Sequence, residues 1–356
     1  MKIGLILSSN IKLNPYIEIF RKVLNEQNIE YDVISWDRES LGEKDGIVFQ
    51  YSAPNTRNKL RKLVDYYRFS NFAQKVIKRN RYDKLIVFGA AIGVFMYDFL
   101  NKYYCRKFWF DYRDLTIEQQ FMHRFKKLCD ISSYISISSP GFRKAFPEEY
   151  DFILSHNFDI DEVKAAIKTE VLPQKTMKQI CISTIGGIRD YAANVEVIES
   201  LKNNLEFKLR FIGKGPCSES LTNYVTENRI KNVEFKGFYQ KKDEWLFYEQ
   251  TDMVNIYYPR IKSHETALSN RFYKSMIFRK PMIVTNRSTQ GYYIEKYELG
   301  LSLENCIGLS DQIKQYITSL DSIAFSDKCN LLLNEFVADY DNFYDKLLKF
   351  INDEHR

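Results

Sequence analysis

Short apolar runs recur along the chain, with amphipathic stretches between them. Ile3–Ser8 (IGLILS) is apolar on both faces a strand would present, the pattern of a parallel strand buried within a sheet. Pro15–Asn28 places Ile17, Phe20, Val23 and Leu24 at helical spacing, and Tyr31–Ser35 is again strand-like. Such a strand, helix and parallel strand form a unit with a right-handed crossover. The basic stretch Lys59–Asn80 predicts a helix with Leu60, Leu63, Val64 and Tyr67 on one core-facing side and its cations in solvent. Lys84–Gly89, Phe108–Phe110, Tyr134–Ser138 and Asp151–Leu154 predict further strands.

The charged stretch Asp161–Lys178, which contains Pro173, looks like a linker. A second alternating series follows. Gln179–Ile185, Lys208–Ile212, Val233–Phe235, Met253–Tyr258 and Pro281–Thr285 predict strands. Asn194–Lys202, Glu219–Asn228, Asp243–Thr251 and the stretch opening at Ala267 predict helices between them. Alternation repeated in this way predicts an α/β chain of two doubly wound, Rossmann-like domains facing across a cleft. The expected division is residues 1–165, a linker at 166–178, residues 179–325, and a helical tail at 326–356 that crosses back to the first domain.

Composition narrows the function classes. A chain of 356 residues with 45% hydrophobic positions can build two ordinary cores. The 52 Lys and Arg against 46 Asp and Glu leave a net charge of +6, too mild to indicate nucleic-acid binding. The six cysteines show no C-x-x-C spacing, which argues against a zinc ribbon or redox motif and for reduced thiols. The four histidines (His123, His156, His264 and His355) show no metal-ligand spacing. D-x-D matches at Asp159–Asp161 and Asp339–Asp341 lack the strand-end context of a metal–nucleotide site. No window is long and apolar enough for a membrane span, and the N-terminal run is too short for a signal peptide. The expectation is a cytoplasmic protein, with peripheral contact at the inner face of the membrane through the basic segments 56–81 and 123–127.

Four stretches carry candidate chemistry. In STIGGIRDYAAN (183–194), Gly186 and Gly187 follow a strand and precede a helix, so backbone amides can approach a phosphate and Arg189 can add a cation. FIGKGP (211–216) places Gly213 and Lys214 at a similar turn, but it lacks the third glycine of a dinucleotide loop. An ordinary βα turn is the alternative for both. FDYRDLT (110–116) flanks Arg113 with Asp111 and Asp114 at a strand end. Asp114 can serve as a general base if it reaches an acceptor hydroxyl, or the group can be a salt bridge. SHETALSNRFYKS (263–275) offers Glu265, Ser269 and Asn270 to hydroxyls or helix caps, and Arg271 and Lys274 to phosphate.

Taken in order, DYRDL, YISISSPGF, ILSHNFD, IGGIRDY, LRFIGKGP, VEFKGFYQKKDEWLFYEQTDM and LSNRFYKSMIFRKPMIV resemble the motif series of the retaining, family-4-like GT-B glycosyltransferases of bacterial surface polysaccharide synthesis. The resemblance spans most of the chain. It implies a nucleotide-sugar donor held by the C-terminal domain and a saccharide or lipid-linked saccharide acceptor on the N-terminal domain. It also implies transfer with retention and without a metal or other cofactor. Arg189 falls where a basic residue meets the diphosphate. Asn270 and Arg271 match the N-K pair at the donor helix start. Lys274 stands where the group has the second glutamate of an E-x(7)-E pair, and Glu265 lies one residue off the register of the first. Asp114, Asp111 and Arg189 are the expected catalytic residues. The alternatives are a non-catalytic sugar-binding or partner subunit of the same fold, or a nucleotide-sugar epimerase.

Overall fold

Seven parallel strands form the sheet of the first half of the structure. They are β1 (Lys2–Leu7), β2 (Glu30–Trp36), β3 (Ile47–Phe49), β4 (Lys84–Phe88), β5 (Phe108–Tyr112), β6 (Tyr134–Ile137) and β7 (Ile153–Leu154), in the order β3-β2-β1-β4-β5-β6-β7. The computed structural model describes residues 1–54, 58–115, 120–169 and 179–353. It divides into two units, Met1–Asn157 with Asp339–Arg356, and Phe158–Ala338. The inner strands are buried on both faces because helices cover both, which is why β1 shows no alternation, while the edge strand β3 is half-buried. Helix α1 (Ile17–Glu26) buries Ile17, Phe20, Val23 and Leu24, the spacing that marked it in the sequence. The last part of the C-terminal helix completes this core: Phe343, Leu347 and Phe350 join Leu5, Leu7, Phe20 and Trp109. Phe343 meets Phe20 edge-on at 5.0 Å, a geometry worth about 0.5–1.5 kcal/mol beyond the area it buries. Lys84, at the start of β4, is buried and donates from Nζ to the carbonyls of Phe350, Ile351 (3.2 Å) and Asp353 (2.6 Å), satisfying the orphan acceptors at the helix end.

Helix α2 (Lys59–Asn80) starts at Asn58, whose side chain accepts from the Arg61 amide, and ends at Arg81 in the left-handed region. Its rotation differs from the expectation. Leu60, Val64 and Tyr67 are exposed and Leu63 is half-buried, while Phe69, Ala73, Val76 and Ile77 face the core. The apolar positions of the first two turns lie on the side opposite the later ones, so the two sets cannot both be buried. Helix α2 packs on α3 (Ala90–Tyr103), and α3 packs on α4 (Met122–Ile131).

The second unit opens with α5 (Ile160–Lys168), where a linker was expected. Asp159 caps it by accepting from the Asp161 amide, and Val163 is buried in this unit's core. Residues 170–178 of the expected linker lie outside the described residues. Six parallel strands follow, in the order β10-β9-β8-β11-β12-β13. They are β8 (Ile180–Ile185), β9 (Phe207–Ile212), β10 (Val233–Lys236), β11 (Met253–Ile256), β12 (Met282–Thr285) and β13 (Gly300–Leu303). The helices are α6 (Tyr191–Leu201), α7 (Ser218–Glu227), α8 (Glu244–Glu249), α9 (Lys262–Thr266), α10 (Asn270–Ile277), α11 (Thr289–Tyr297) and α12 (Leu309–Thr318). Helix α13 (Ser322–Asn352) contributes Phe325, Cys329, Leu332, Leu333 and Phe336 to this unit's core before its later residues join the first unit. The expected doubly wound α/β arrangement is present in both units. All six cysteines are free thiols. Among the described residues, no helix is long and apolar enough to cross a membrane.

Candidate functional site

Two glycine turns interlock at the C-terminal edge of the second sheet, the edge where open α/β sheets take ligands. After β8 the chain passes through Gly186 at φ +99°, and its amide donates to the Ile212 carbonyl (2.8 Å). After β9 it passes through Gly213 at φ +126°, whose amide donates to the Lys236 carbonyl (2.9 Å). A Cβ on Gly213 would lie 2.1 Å from the Gly186 carbonyl oxygen, so glycine is required for the two turns to touch. Gly187, by contrast, is exposed and has side-chain room.

Arg271, in the first turn of α10, holds the Gly186 turn from the other side. Its Nε donates to the Ile185 carbonyl, its Nη2 to the Gly187 carbonyl (2.6 Å) and its Nη1 to the Tyr258 hydroxyl (3.2 Å). The Tyr258 ring stacks on His264 at 4.8 Å, and His264 Nε2 lies 3.2 Å from Asp190 Oδ1. Asp190 has left-handed backbone geometry and leads into α6. A closed circuit of side chains therefore fixes residues 185–190, with the exposed Arg189 beside Gly187. The helices after these strands begin at the same edge, and α6, α7 and α10 have no side-chain cap there, so their first-turn amides favour an anion.

Sequence reasoning singled out Gly186, Gly187, Arg189, Gly213, Lys214 and Arg271, and the structure brings them together around these turns. Lys214 is exposed, and its side chain runs beside Gly237. Ser269 stands at the N-cap of α10, but its hydroxyl and amide both donate to Gln290 Oε1 (2.8 and 3.1 Å), so it ties α10 to α11 and does not cap. Asn270 is the exposed first residue of α10, and Glu265 lies half-buried on α9. Lys274 is committed elsewhere, with Nζ 2.6 Å from both carboxylate oxygens of Glu162 and 3.8 Å from Glu244. Sequence reasoning missed Asp190, Tyr258 and Gln290 as site residues. Only the position of Asp190 directly after Arg189 in the glycine turn offered a signal.

In the first unit, the two candidate carboxylates separate. Asp111, the penultimate residue of β5, has no exposed surface, one oxygen accepting from Arg113 Nε and the other from the Ser136 hydroxyl. Burial pushes its carboxyl above the usual range, and Arg113 opposes the shift. Expected as catalytic, Asp111 is enclosed and instead positions Arg113, which donates to the Ser155 carbonyl and hydroxyl (2.7 Å each) and lies over the Tyr16 ring. Asp114 lies beyond the strand and is exposed. Of the D-x-D matches, Asp159 is a helix cap and Asp339 lies 2.9 Å from His156. Elsewhere on this edge the buried Asn10 donates to Asp37 (2.6 Å), and Asp37 also accepts from the amides of Leu41, Gly42 and Glu43, shaping the loop after β2.

No protein-family model matches the sequence, and no curated protein matches it significantly. Solved structures match over nearly its whole length. Sucrose-phosphate synthase from Thermosynechococcus elongatus is 12% identical with a TM-score of 0.71, covering 98% of this chain and 99% of that one. A glycosyltransferase from Rickettsia africae is 13% identical with a TM-score of 0.67, covering 99% of each chain. HepE from Anabaena, solved in complex with UDP, is 13% identical with a TM-score of 0.66, covering 98% of this chain and all of the other. The fold is GT-B. In GT-B terms the interlocked glycine turns, Arg189 and the start of α10 belong to the C-terminal Rossmann-like unit.

Proposed function

We propose that the chain is a glycosyltransferase that takes a sugar from a nucleoside diphosphate donor and passes it to a saccharide or lipid-linked saccharide. The observation that carries this reading is the circuit around residues 185–190. It presents the exposed Gly187 backbone and an exposed Arg189 at the ligand edge of the sheet, with Lys214 alongside. A departing nucleoside diphosphate gains negative charge, and fixed amides and cations at that point lower the barrier without reorganising. HepE, of the same fold, binds UDP and UDP-glucose in its solved complexes, which makes UDP the first donor nucleotide to try. In this scheme protein cations stand in place of a metal, transfer is retaining, Asp114 serves the acceptor side, and the product enters bacterial surface polysaccharide. The place of action is the cytoplasm, at the inner face of the membrane.

A non-catalytic saccharide-binding module on the same fold is the second reading. It is favoured by the tie between Lys274 and Glu162, which puts an ion pair where the resembling group has its donor glutamate. Thermal shift with UDP, GDP and ADP tests the first reading. One of the three should raise the melting temperature of the unaltered chain, and Arg189→Ala should remove the rise. No response to any nucleotide would sink the donor assignment, whereas turnover with a nucleotide-sugar would end the non-catalytic one.

A further inference from the structure

Gln290, the second residue of α11, is 2% exposed. Its Oε1 accepts from both the amide (3.1 Å) and the hydroxyl (2.8 Å) of Ser269, the N-cap residue of α10. A backbone N–H can only donate, so the atom it meets is the oxygen, and the orientation of the Gln290 amide is fixed. Its Nε2 is thereby held beside the start of α10, and it has no hydrogen-bond partner among the described residues. Unlike Arg210 Nε and Ser302 Oγ, this nitrogen is not sealed from solvent, so the little exposure the residue keeps includes its two N–H groups.

The surroundings hold this side chain in place. Ser288 accepts from the Gly291 amide (2.9 Å) and donates to the Thr285 carbonyl (2.6 Å), which fixes the first turn of α11. The Thr289 hydroxyl lies 3.0 and 3.2 Å from the carbonyls of Glu265 and Thr266 at the end of α9. With Ser269 turned to Gln290, α10 starts without a side-chain cap, so its first-turn amides also lack acceptors from that residue. Arg271, two residues after Ser269, reaches the Gly187 carbonyl (2.6 Å) and so links this corner to the turn at residues 185–190. A tie between helices does not by itself explain a glutamine here. The tie uses only the acceptor oxygen, and a glutamate would serve it while gaining from the dipoles of both helix starts. The amide instead carries two donors, and a buried donor without an acceptor is costly.

We propose that Gln290 is a specificity-determining residue for the donor: its Nε2 donates to a hydroxyl oxygen of the sugar that the diphosphate carries. The inference rests on the transferase reading and addresses the part of the donor that the glycine turns leave unread. A fixed donor in a largely dry corner rejects a sugar with no oxygen at that point, because the amide is then left unpaired.

The test is calorimetric titration of the full chain with UDP, or whichever of GDP and ADP binds in its place, and with the glucose, galactose and N-acetylglucosamine esters of that nucleotide. Gln290→Glu keeps the acceptor for Ser269 and removes the donors. It should melt no lower than the parent, bind the nucleotide within about twofold, and bind the favoured nucleotide-sugar about tenfold or more weaker. Gln290→Met, uncharged and similar in volume, repeats the test without a buried carboxylate. Analogues of the favoured sugar lacking one hydroxyl at a time then locate the contact. One of them should lose about tenfold on the parent and nothing further on either variant, a match that a merely structural glutamine would not produce. Equal nucleotide-sugar affinity in the parent and both variants overturns the proposal. So does a joint loss of nucleotide and nucleotide-sugar affinity, which would make Gln290 a prop for α10. In both cases nucleotide binding by the parent leaves the transferase reading standing, whereas a parent that binds no nucleotide overturns the two together.

Discussion

Lys274 Nζ lies 2.6 Å from both carboxylate oxygens of Glu162, with Glu244 at 3.8 Å. The cation of α10 is thus balanced by carboxylates from α5 and α8. Glu244 is held in turn by the Tyr239 hydroxyl (2.7 Å).

Replacing Lys274 with glutamate should therefore harm the protein. Three carboxylates would converge where two now share a cation. With side chains 21 and 32% exposed, the ion pair itself contributes about 1 kcal/mol or less, and repulsion adds a similar amount. Lys274→Glu should lower the urea midpoint and leave nucleotide affinity no better. The exchange Lys274→Glu/Glu162→Lys should recover most of the loss. A Lys274→Glu variant as stable as the parent would show that the pair does not matter.

The glycines of the candidate site should divide into fold-requiring and ligand-requiring positions. Gly213→Ala sets a methyl 2.1 Å from the Gly186 carbonyl oxygen at a positive φ, so it should cost about 3 kcal/mol or more. Gly187→Ala meets only the flexible end of Arg189 at 3.6 Å and should melt within a degree or two of the parent. Its nucleotide thermal shift should nonetheless shrink, because the added methyl faces the ligand edge. If Gly213→Ala is as stable as Gly187→Ala, the close approach of the two turns is wrong.

His156 makes the first unit acid-sensitive. Burial holds its imidazole below the ordinary value of 6.5, against the opposing pull of Asp339 at 2.9 Å. Below pH 6.5 the unfolded chain takes up a proton that the folded one resists. Stability is therefore fully present above that pH and falls on acidification, by about 1.4 kcal/mol per unit until the folded value is reached. Trp36 and Trp109 report this unit by fluorescence once Trp245 is changed to phenylalanine. Denaturation midpoints at pH 7.5 and 5.5 should differ more for that background than for the same chain with His156→Gln. Equal pH dependence in the two would place the acid sensitivity elsewhere.

The fold was legible where a helix keeps one face wet or a strand is a short apolar run between turns. Helix α1 and eleven of the strands announced themselves through amphipathic spacing or short apolar runs between turns, but the outermost β3 (Ile47–Phe49) and β13 (Gly300–Leu303) did not. Helix α3 did not, because AAIGVFMYDFL lies between α2 and α4 with Ala90 to Val94 and Met96 all buried, which erases the 3.6-residue period. Helix α5 was mistaken for linker because its charges drew attention from Ile160, Val163 and Ala166. The rotation of α2 was misjudged because its first turns are apolar on the outward side. In the candidate site the glycine turns and Arg271 were readable from local sequence. The link from Arg271 through Tyr258 and His264 to Asp190 was not, since it joins residues up to 81 positions apart through the sheet edge.

Helix α13 has a consequence for synthesis. Phe343, Leu347 and Phe350 fill the core of the first unit, yet the whole of Phe158–Ala338 lies between them and the strands they cover. While the chain is being made, Phe20 and Trp109 have each other, Phe88 and Tyr134, but they wait for Phe343 and Phe350 until the second unit has been translated. The N-terminal half therefore emerges as an unfinished layer, and the order of completion on the ribosome runs from the second half to the first.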